Sequence, residues 1–132
     1  MCKTIKQKVR FKAAPDAVYR VLADSAERTK VTGRKAHISK KIGGAFSADN
    51  GAVTGVNVDL LPGKRLVQAW RRNDFPDGIY SMAAVTLTPT GDGGTELVLT
   101  HRGVPKWLID STEDHWRRDY WDKIRAHTVR KK

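Results

Sequence analysis

Trp116-Arg117-Arg118-Asp119-Tyr120-Trp121-Asp122-Lys123-Ile124, close to the end of a 132-residue chain, is the stretch on which the fold turns. Trp116, Tyr120, Ile124 and Thr128 recur at steps of four with Trp121 beside them, a spacing that lines up one face of an α-helix. It predicts one long amphipathic helix after residue 109, with an aromatic face too large to leave in water. The rest of the chain has to supply the surface that covers that face.

Residues 34–102 have the pattern for it. Residues 36–39, 45–47, 52–60, 65–71, 80–90 and 95–102 read as strands. Between them stand Gly43-Gly44, Asp49-Asn50-Gly51, Pro62-Gly63, Pro76-Asp77-Gly78 and Gly91-Asp92-Gly93-Gly94, in which glycine supplies positive φ and proline or Asx residues start turns. Short consecutive connections predict an antiparallel meander. Upstream, residues 4–13 alternate, with Ile5, Val9 and Phe11 on one parity and Lys6, Lys8, Arg10 and Lys12 on the other. This is a half-buried edge strand whose cationic row faces solvent and discourages edge-to-edge pairing. Pro15 suits the first position of a short helix over 16–23 carrying Val18, Val21 and Leu22, and residues 25–32 read as a second, N-capped by Ser25 and closed by Gly33.

The predicted class is therefore α+β: a curved antiparallel sheet of six to seven strands around a long C-terminal helix, with two short helices after the first strand. All 132 residues are expected to form a single domain, the length being ordinary for one core. A hydrophobic fraction of 39% suffices for that core, and no run approaches the roughly 20 apolar residues of a membrane span. Cys2 has no partner cysteine, and the first residues lack the apolar centre of a signal peptide. Both predict a cytoplasmic setting, with Cys2 a frayed thiol.

The formal net charge is +11, which raises nucleic acid, an anionic surface or an acidic protein as partners. Residues 1–42 hold 12 basic and 3 acidic side chains, residues 43–101 hold 4 and 6, and residues 102–132 hold 9 and 5. The basic first third carries only Phe11 and Tyr19 as aromatics and no RNA-recognition, zinc-finger or zipper signature. The reading is a solvated face without specific nucleic-acid recognition, retaining only sequence-independent DNA binding at low salt.

The runs Thr32-Gly33-Arg34-Lys35-Ala36-His37-Ile38, Gly43-Gly44-Ala45-Phe46-Ser47 and Pro62-Gly63-Lys64-Arg65-Leu66 through Trp70-Arg71 stand in order with Phe75-Pro76-Asp77-Gly78, Gly94-Thr95-Glu96-Leu97 and Thr100-His101-Arg102-Gly103-Val104-Pro105, ahead of Trp116 and Tyr120-Trp121. Together they resemble the family of activator-of-heat-shock-ATPase homologues in the START-like (SRPBCC) superfamily. The resemblance implies the helix-grip fold, with a cavity between sheet and helix that in the superfamily often receives apolar ligands. Founding members that stimulate the heat-shock ATPase carry a separate amino-terminal domain, for which 132 residues leave no room. The chain departs from the family pattern in two places. Asp114-His115 precede Trp116 where a small glycine-like residue is expected, which narrows the cavity mouth, and Phe75 stands where tryptophan is common.

Motifs for chemistry are sparse. His37, His101, His115 and His127 form no HxH or HExxH group; only His115 and Asp119 have helix-borne i, i+4 spacing, so no metal site is expected and these side chains are read as solvent-exposed on the outer helix face. The helix acids are read as surface ion pairs, Asp114 with Arg118 and Asp119 with Lys123. No nucleophile elbow or phosphate loop is present, and neither a catalytic residue nor a cofactor is assigned.

Parity supplies what remains. If Val85 and Leu87 face inward, so do Ser81 and Ala83, with Leu97, Leu99 and His101 opposite and Leu66, Gln68 and Trp70 on the neighbouring strand. The leading expectation is noncatalytic binding of a small apolar or aromatic molecule between sheet and helix, walled by Gln68, Trp70, Ser81, Val85, Leu87, Leu97, Leu99, His101, Trp116 and Tyr120. The competing one is a chaperone-accessory module that engages an acidic protein through the basic first third. A third, implied by cyclases of the superfamily, makes His101 a general acid or base.

Overall fold

The computed structural model describes residues 4–130, with side chains through residue 127. Cys2, Lys131 and Lys132, and the side chain of Thr128 lie outside that range. β1 (Ile5–Phe11) leads into α1 (Pro15–Ala23) and α2 (Ser25–Thr32). Six strands follow: β2 (His37–Ile38), β3 (Ala45–Ala48), β4 (Val53–Leu61), β5 (Arg65–Arg72), β6 (Ser81–Pro89) and β7 (Thr95–Arg102). The described residues form one seven-stranded sheet in the order β1-β7-β6-β5-β4-β3-β2, every neighbouring pair antiparallel. The meander is thus continuous from β2 to β7, and β1 closes on β7 as an edge strand.

The period-2 reading of β1 holds residue by residue. Ile5, Val9 and Phe11 are buried while Lys6, Lys8, Arg10 and Lys12 are exposed. The helices differ in one detail, since α2 is capped by Asp24, whose carboxylate accepts from Glu27 N–H at 3.0 Å. Ser25 cannot serve there because its hydroxyl is occupied by β2, accepting from Ile38 N–H at 2.7 Å. The predicted Ser25 cap becomes a tie between α2 and the sheet edge.

The C-terminal segment is one unbroken helical rod of unusual internal geometry. α3 (Ile109–His115) passes through a π turn at Trp116–Trp121 into α4 (Asp122–Arg130). The Asp122 N–H reaches back five residues to the carbonyl of Arg117. A π turn brings i and i+5 onto the same side, which is why Trp116 and Trp121 stack 5.3 Å apart with planes 24° from parallel. Trp116, Tyr120, Trp121 and Ile124 are all at most 2% exposed. The aromatic stripe read at α-helical spacing is buried against the sheet, and the wider turn lets a third ring join it.

The charges on the helix find partners other than the expected ones. Arg117 pairs with Asp114 at 2.9 Å, Asp119 lies between Arg34 at 3.5 Å and His115 at 3.3 Å, and Lys123 donates to the Thr32 carbonyl at 3.0 Å. The predicted Asp114–Arg118 and Asp119–Lys123 pairs do not form: Asp114 is taken by Arg117, Asp119 by Arg34 and His115, and Lys123 by the Thr32 carbonyl.

Among the described residues no helix is long and apolar enough to cross a membrane. Where β4 crosses β5 the sheet has no room for a side chain. A Cβ on Gly55 would lie 1.8 Å from the Ala69 carbonyl oxygen and 2.6 Å from the Phe46 ring. Gly55→Ala is therefore expected to cost about 1–3 kcal/mol through overpacking, read as a lower urea midpoint with an unchanged m-value.

Candidate functional site

All ten residues predicted to wall a cavity lie on the inner side and are buried, the most exposed being Leu87 at 5%. They meet because register carries the parity from strand to strand: Leu66 pairs with Val85 and Val85 in turn with Leu99, and Gln68 pairs with Ala83 and Ala83 with His101. Trp70 stacks on Trp116 at 5.6 Å and meets His101 edge-on at 4.9 Å and Phe75 at 5.9 Å. Three aromatic layers therefore connect β5, the β5–β6 connection and the helix.

His101 is fully buried, and both its ring nitrogens are engaged. The Trp116 indole N–H donates to Nδ1 at 3.0 Å, while Nε2 lies 2.6 Å from the Ser81 hydroxyl, which donates to the Trp70 carbonyl at 2.7 Å. Because Nδ1 accepts, the proton of the neutral ring resides on Nε2, and the chain of donors runs from Trp116 through His101 and Ser81 to the backbone of β5. A second proton on Nδ1 would oppose the Trp116 N–H. Burial, reinforced by the nearby Arg72 charge, pushes the His101 pKa down from 6.5 to about 3. The residue lacks a free nitrogen for a substrate and stays neutral near pH 7, which argues against the general acid or base role.

A second polar cluster was not legible beforehand. Asp49 and Asn50 both take left-handed backbone conformations, φ 54° and 58°, uncommon for residues other than glycine. This conformation belongs to the short turn after β3 whose carboxylate meets the helix. Asp49 Oδ2 accepts from the Tyr120 hydroxyl at 2.7 Å and lies 2.8 Å from His115 Nε2. Burial raises the Asp49 pKa, but the bonds from His115 and Tyr120 and the charge of Arg28 outweigh it and hold the carboxyl below its ordinary range. Burial pushes the Tyr120 hydroxyl up. Arg28, 2% exposed, lies over the Tyr120 ring at 4.3 Å and donates to the Leu22 carbonyl at 3.3 Å.

His115 is accordingly not on the outer face, as its spacing with Asp119 implied; its side chain is 12% exposed and clasps the Asp49 turn. The helix leans over that turn, and no local sequence signal reports such an approach. Among the described residues no group of three or more His, Cys, Asp or Glu side chains is arranged to hold a metal ion. Buried polar atoms without a hydrogen-bond partner among the described residues include Trp70 Nε1, Asp49 Oδ1 and Thr112 Oγ1.

Comparison with known proteins places this arrangement. The family model described as Activator of Hsp90 ATPase homolog 1-like protein matches residues 12–128. The chain is 31% identical over 126 residues to an activator of 90 kDa heat shock protein ATPase homolog from Dictyostelium discoideum, covering 96% of this chain and 33% of the relative. It is 34% identical over 125 residues to homolog 1 from Homo sapiens, covering 94% and 36%. The chain thus spans about a third of the length of these curated relatives. Among solved structures, an HSP90 activator from Plasmodium falciparum superposes with a TM-score of 0.85 at 21% identity over 92% of both chains, a likeness of fold.

The buried histidine yields a pH dependence. The folded pKa lies below the unfolded one, so its contribution to stability is full above about 6.5 and is lost as pH falls toward about 3. Between pH 6 and 4 the unfolding free energy is expected to fall by up to about 1.4 kcal/mol per pH unit from this group. Urea titrations of the wild type and His101→Gln check it: the variant is less stable at pH 7 and lacks this part of the slope.

Proposed function

Since the chain belongs to the Activator of Hsp90 ATPase homolog 1-like family, we propose that it is a chaperone-accessory interaction module that docks on an acidic surface of an Hsp90-type ATPase and modulates its turnover. The observation that carries this reading is the cationic row of β1. Lys6, Lys8 and Lys12 are exposed and make no ion pair among the described residues, and Arg10 alone is met, by Glu96 at 3.3 Å. Uncommitted charge on a rigid strand steers encounter with an oppositely charged partner and costs little to desolvate at the rim of an interface. The internal bonding of the face between sheet and helix, where both His101 nitrogens are engaged, favours an outer surface over an interior cavity as the working part.

The test is binding of the protein to a purified Hsp90 chaperone, followed by calorimetry and by ATP turnover. Affinity is expected to weaken steeply with salt, and Lys6→Glu/Lys8→Glu/Lys12→Glu to lower it at least about tenfold, equivalent to about 1.4 kcal/mol. Absence of binding at low salt, or binding indifferent to the triple reversal, overturns the proposal.

A second reading, a small apolar or aromatic ligand between sheet and helix, draws support from the unpartnered Trp70 Nε1 and Asp49 Oδ1, which would orient a polar group on such a molecule. It expects saturable quenching of tryptophan fluorescence by at least one member of a panel of lipids and aromatics, altered in Asp49→Asn. A panel without any saturable response ends it.

A further inference from the structure

A groove of about 530 Å³ opens between α1, the Ser39–Ile42 loop and the end of β4, away from the face between sheet and helix. Its floor is apolar, built from Tyr19, Ala23, Leu60 and Pro62 with Ile42 at the rim. Ile42 is 62% exposed. Three cations, Arg20, Lys40 and Lys41, stand around this floor against one acid, Asp24. Asp24 is already committed, pairing with Lys40 at 3.8 Å and capping α2. Lys41 is exposed at the rim, and Arg20, also exposed, makes no direct ion pair among the described residues, although with the Glu27 N–H bond and Lys40 its charge helps hold the Asp24 carboxyl below its ordinary range.

The walls are held from inside the protein. Gln68 Nε2 donates to Asn57 Oδ1 at 3.0 Å, and Asn57 Nδ2 donates to the Ser39 carbonyl at 2.7 Å. Both amides are at most 2% exposed. The loop is pinned again where Gly43 N–H donates to the Asn57 carbonyl at 2.7 Å. The opposite wall is pressed onto α1 at Gly63, where a Cβ would stand 2.3 Å from Asp16 Oδ1. Gln68, on the inner side of β5, thereby also anchors the wall of this outer groove through Asn57. A groove fixed in this way loses little conformational freedom when it is filled.

We propose that this groove binds a small amphiphilic carboxylate, a fatty-acid-like anion whose apolar body lies on Tyr19, Ala23, Leu60 and Pro62 and whose head meets Arg20 and Lys41. The volume falls in the range of pockets for small molecules, about 300–1,000 Å³, and an apolar floor beneath three cations and one acid is complementary to an anion with a hydrocarbon body. A folded protein partner would need roughly 800 Å² of its own surface buried, more than this floor presents. None of the β1 lysines takes part, so the site goes beyond the proposed chaperone docking and its test is separate.

Decanoate below its micellar concentration is the probe, followed by calorimetry and by amide chemical shifts. Stoichiometric binding is expected, with shifts at Ala23, Lys41 and Ile42. Decyltrimethylammonium, equally apolar and oppositely charged, is expected to bind at least about tenfold more weakly, and Arg20→Glu/Lys41→Glu to weaken decanoate by a similar factor, about 1.4 kcal/mol. Both positions are exposed, so the variant should keep its fold, which its urea midpoint verifies. Lys6→Glu/Lys8→Glu/Lys12→Glu, which tests the chaperone surface, should leave decanoate affinity unchanged. The proposal is overturned if decanoate does not bind or if the two detergents bind alike. Displacement of the shifts to the Trp70 and Trp116 indole signals would instead place the ligand between sheet and helix. An amidated glutamate–leucine tetrapeptide binding the groove more tightly than decanoate would make it a peptide dock.

Discussion

The indole N–H of Trp116 donating to Nδ1 of His101 is the bond on which the relation of helix to sheet depends. It lies where neither partner reaches water, so each would be left with an unpaired polar atom if the other moved. Such a loss costs about 1–3 kcal/mol, whereas apolar packing alone tolerates small slides. The bond also selects the histidine tautomer, and through it the direction of the Ser81 hydroxyl and its bond to β5. One contact thereby joins the helix to β7, β6 and β5. A network of this kind is stable only when complete.

Two further polar ties keep the helix from rotating about that point. At its N-terminal end Arg72 donates to the Ser111 hydroxyl at 2.8 Å and to its carbonyl at 3.1 Å, while holding Asp74 through both carboxylate oxygens. On the far edge of the sheet, Gln7 of β1 accepts from the Trp121 indole at 2.6 Å and donates to the Glu113 carbonyl at 3.1 Å. The π turn makes these ties compatible: it faces Trp116 toward His101 and Trp121 toward Gln7 within one turn. The Asp49 clasp on Tyr120 and His115 adds the β3 side of the sheet.

Interior polar residues shape the outer surface as well. Gln68 and Asn57 have no exposed atoms of consequence, yet they set the carbonyls of the Ser39–Lys41 loop and hence where Lys41 and Ile42 stand. The two proposed working surfaces differ in this respect. The β1 row is presented by the regular alternation of a strand, while the groove beside α1 depends on the buried amides of Asn57 in β4 and Gln68 in β5.

The sequence by itself determined the element order, the parity of β1, β5, β6 and β7 and the burial of the Trp116, Tyr120 and Ile124 stripe, because periodicity and turn chemistry are local and repeat over many residues; in β4 a register shift at Asn57–Asp59 breaks the alternation. It also placed Gln68, Ser81 and His101 on the inner side, since register transmits parity. Local spacing could not show that His115 turns inward to Asp49, that Asp24 rather than Ser25 caps α2, or that Asp119 meets Arg34. Each of these was decided by which element came to lie beside another. The same holds for whether Gln68 lines a cavity or pins a loop: its polarity and direction are sequence properties, but its hydrogen-bond partner, Asn57, is supplied by the neighbouring strand and exists only once the sheet is assembled.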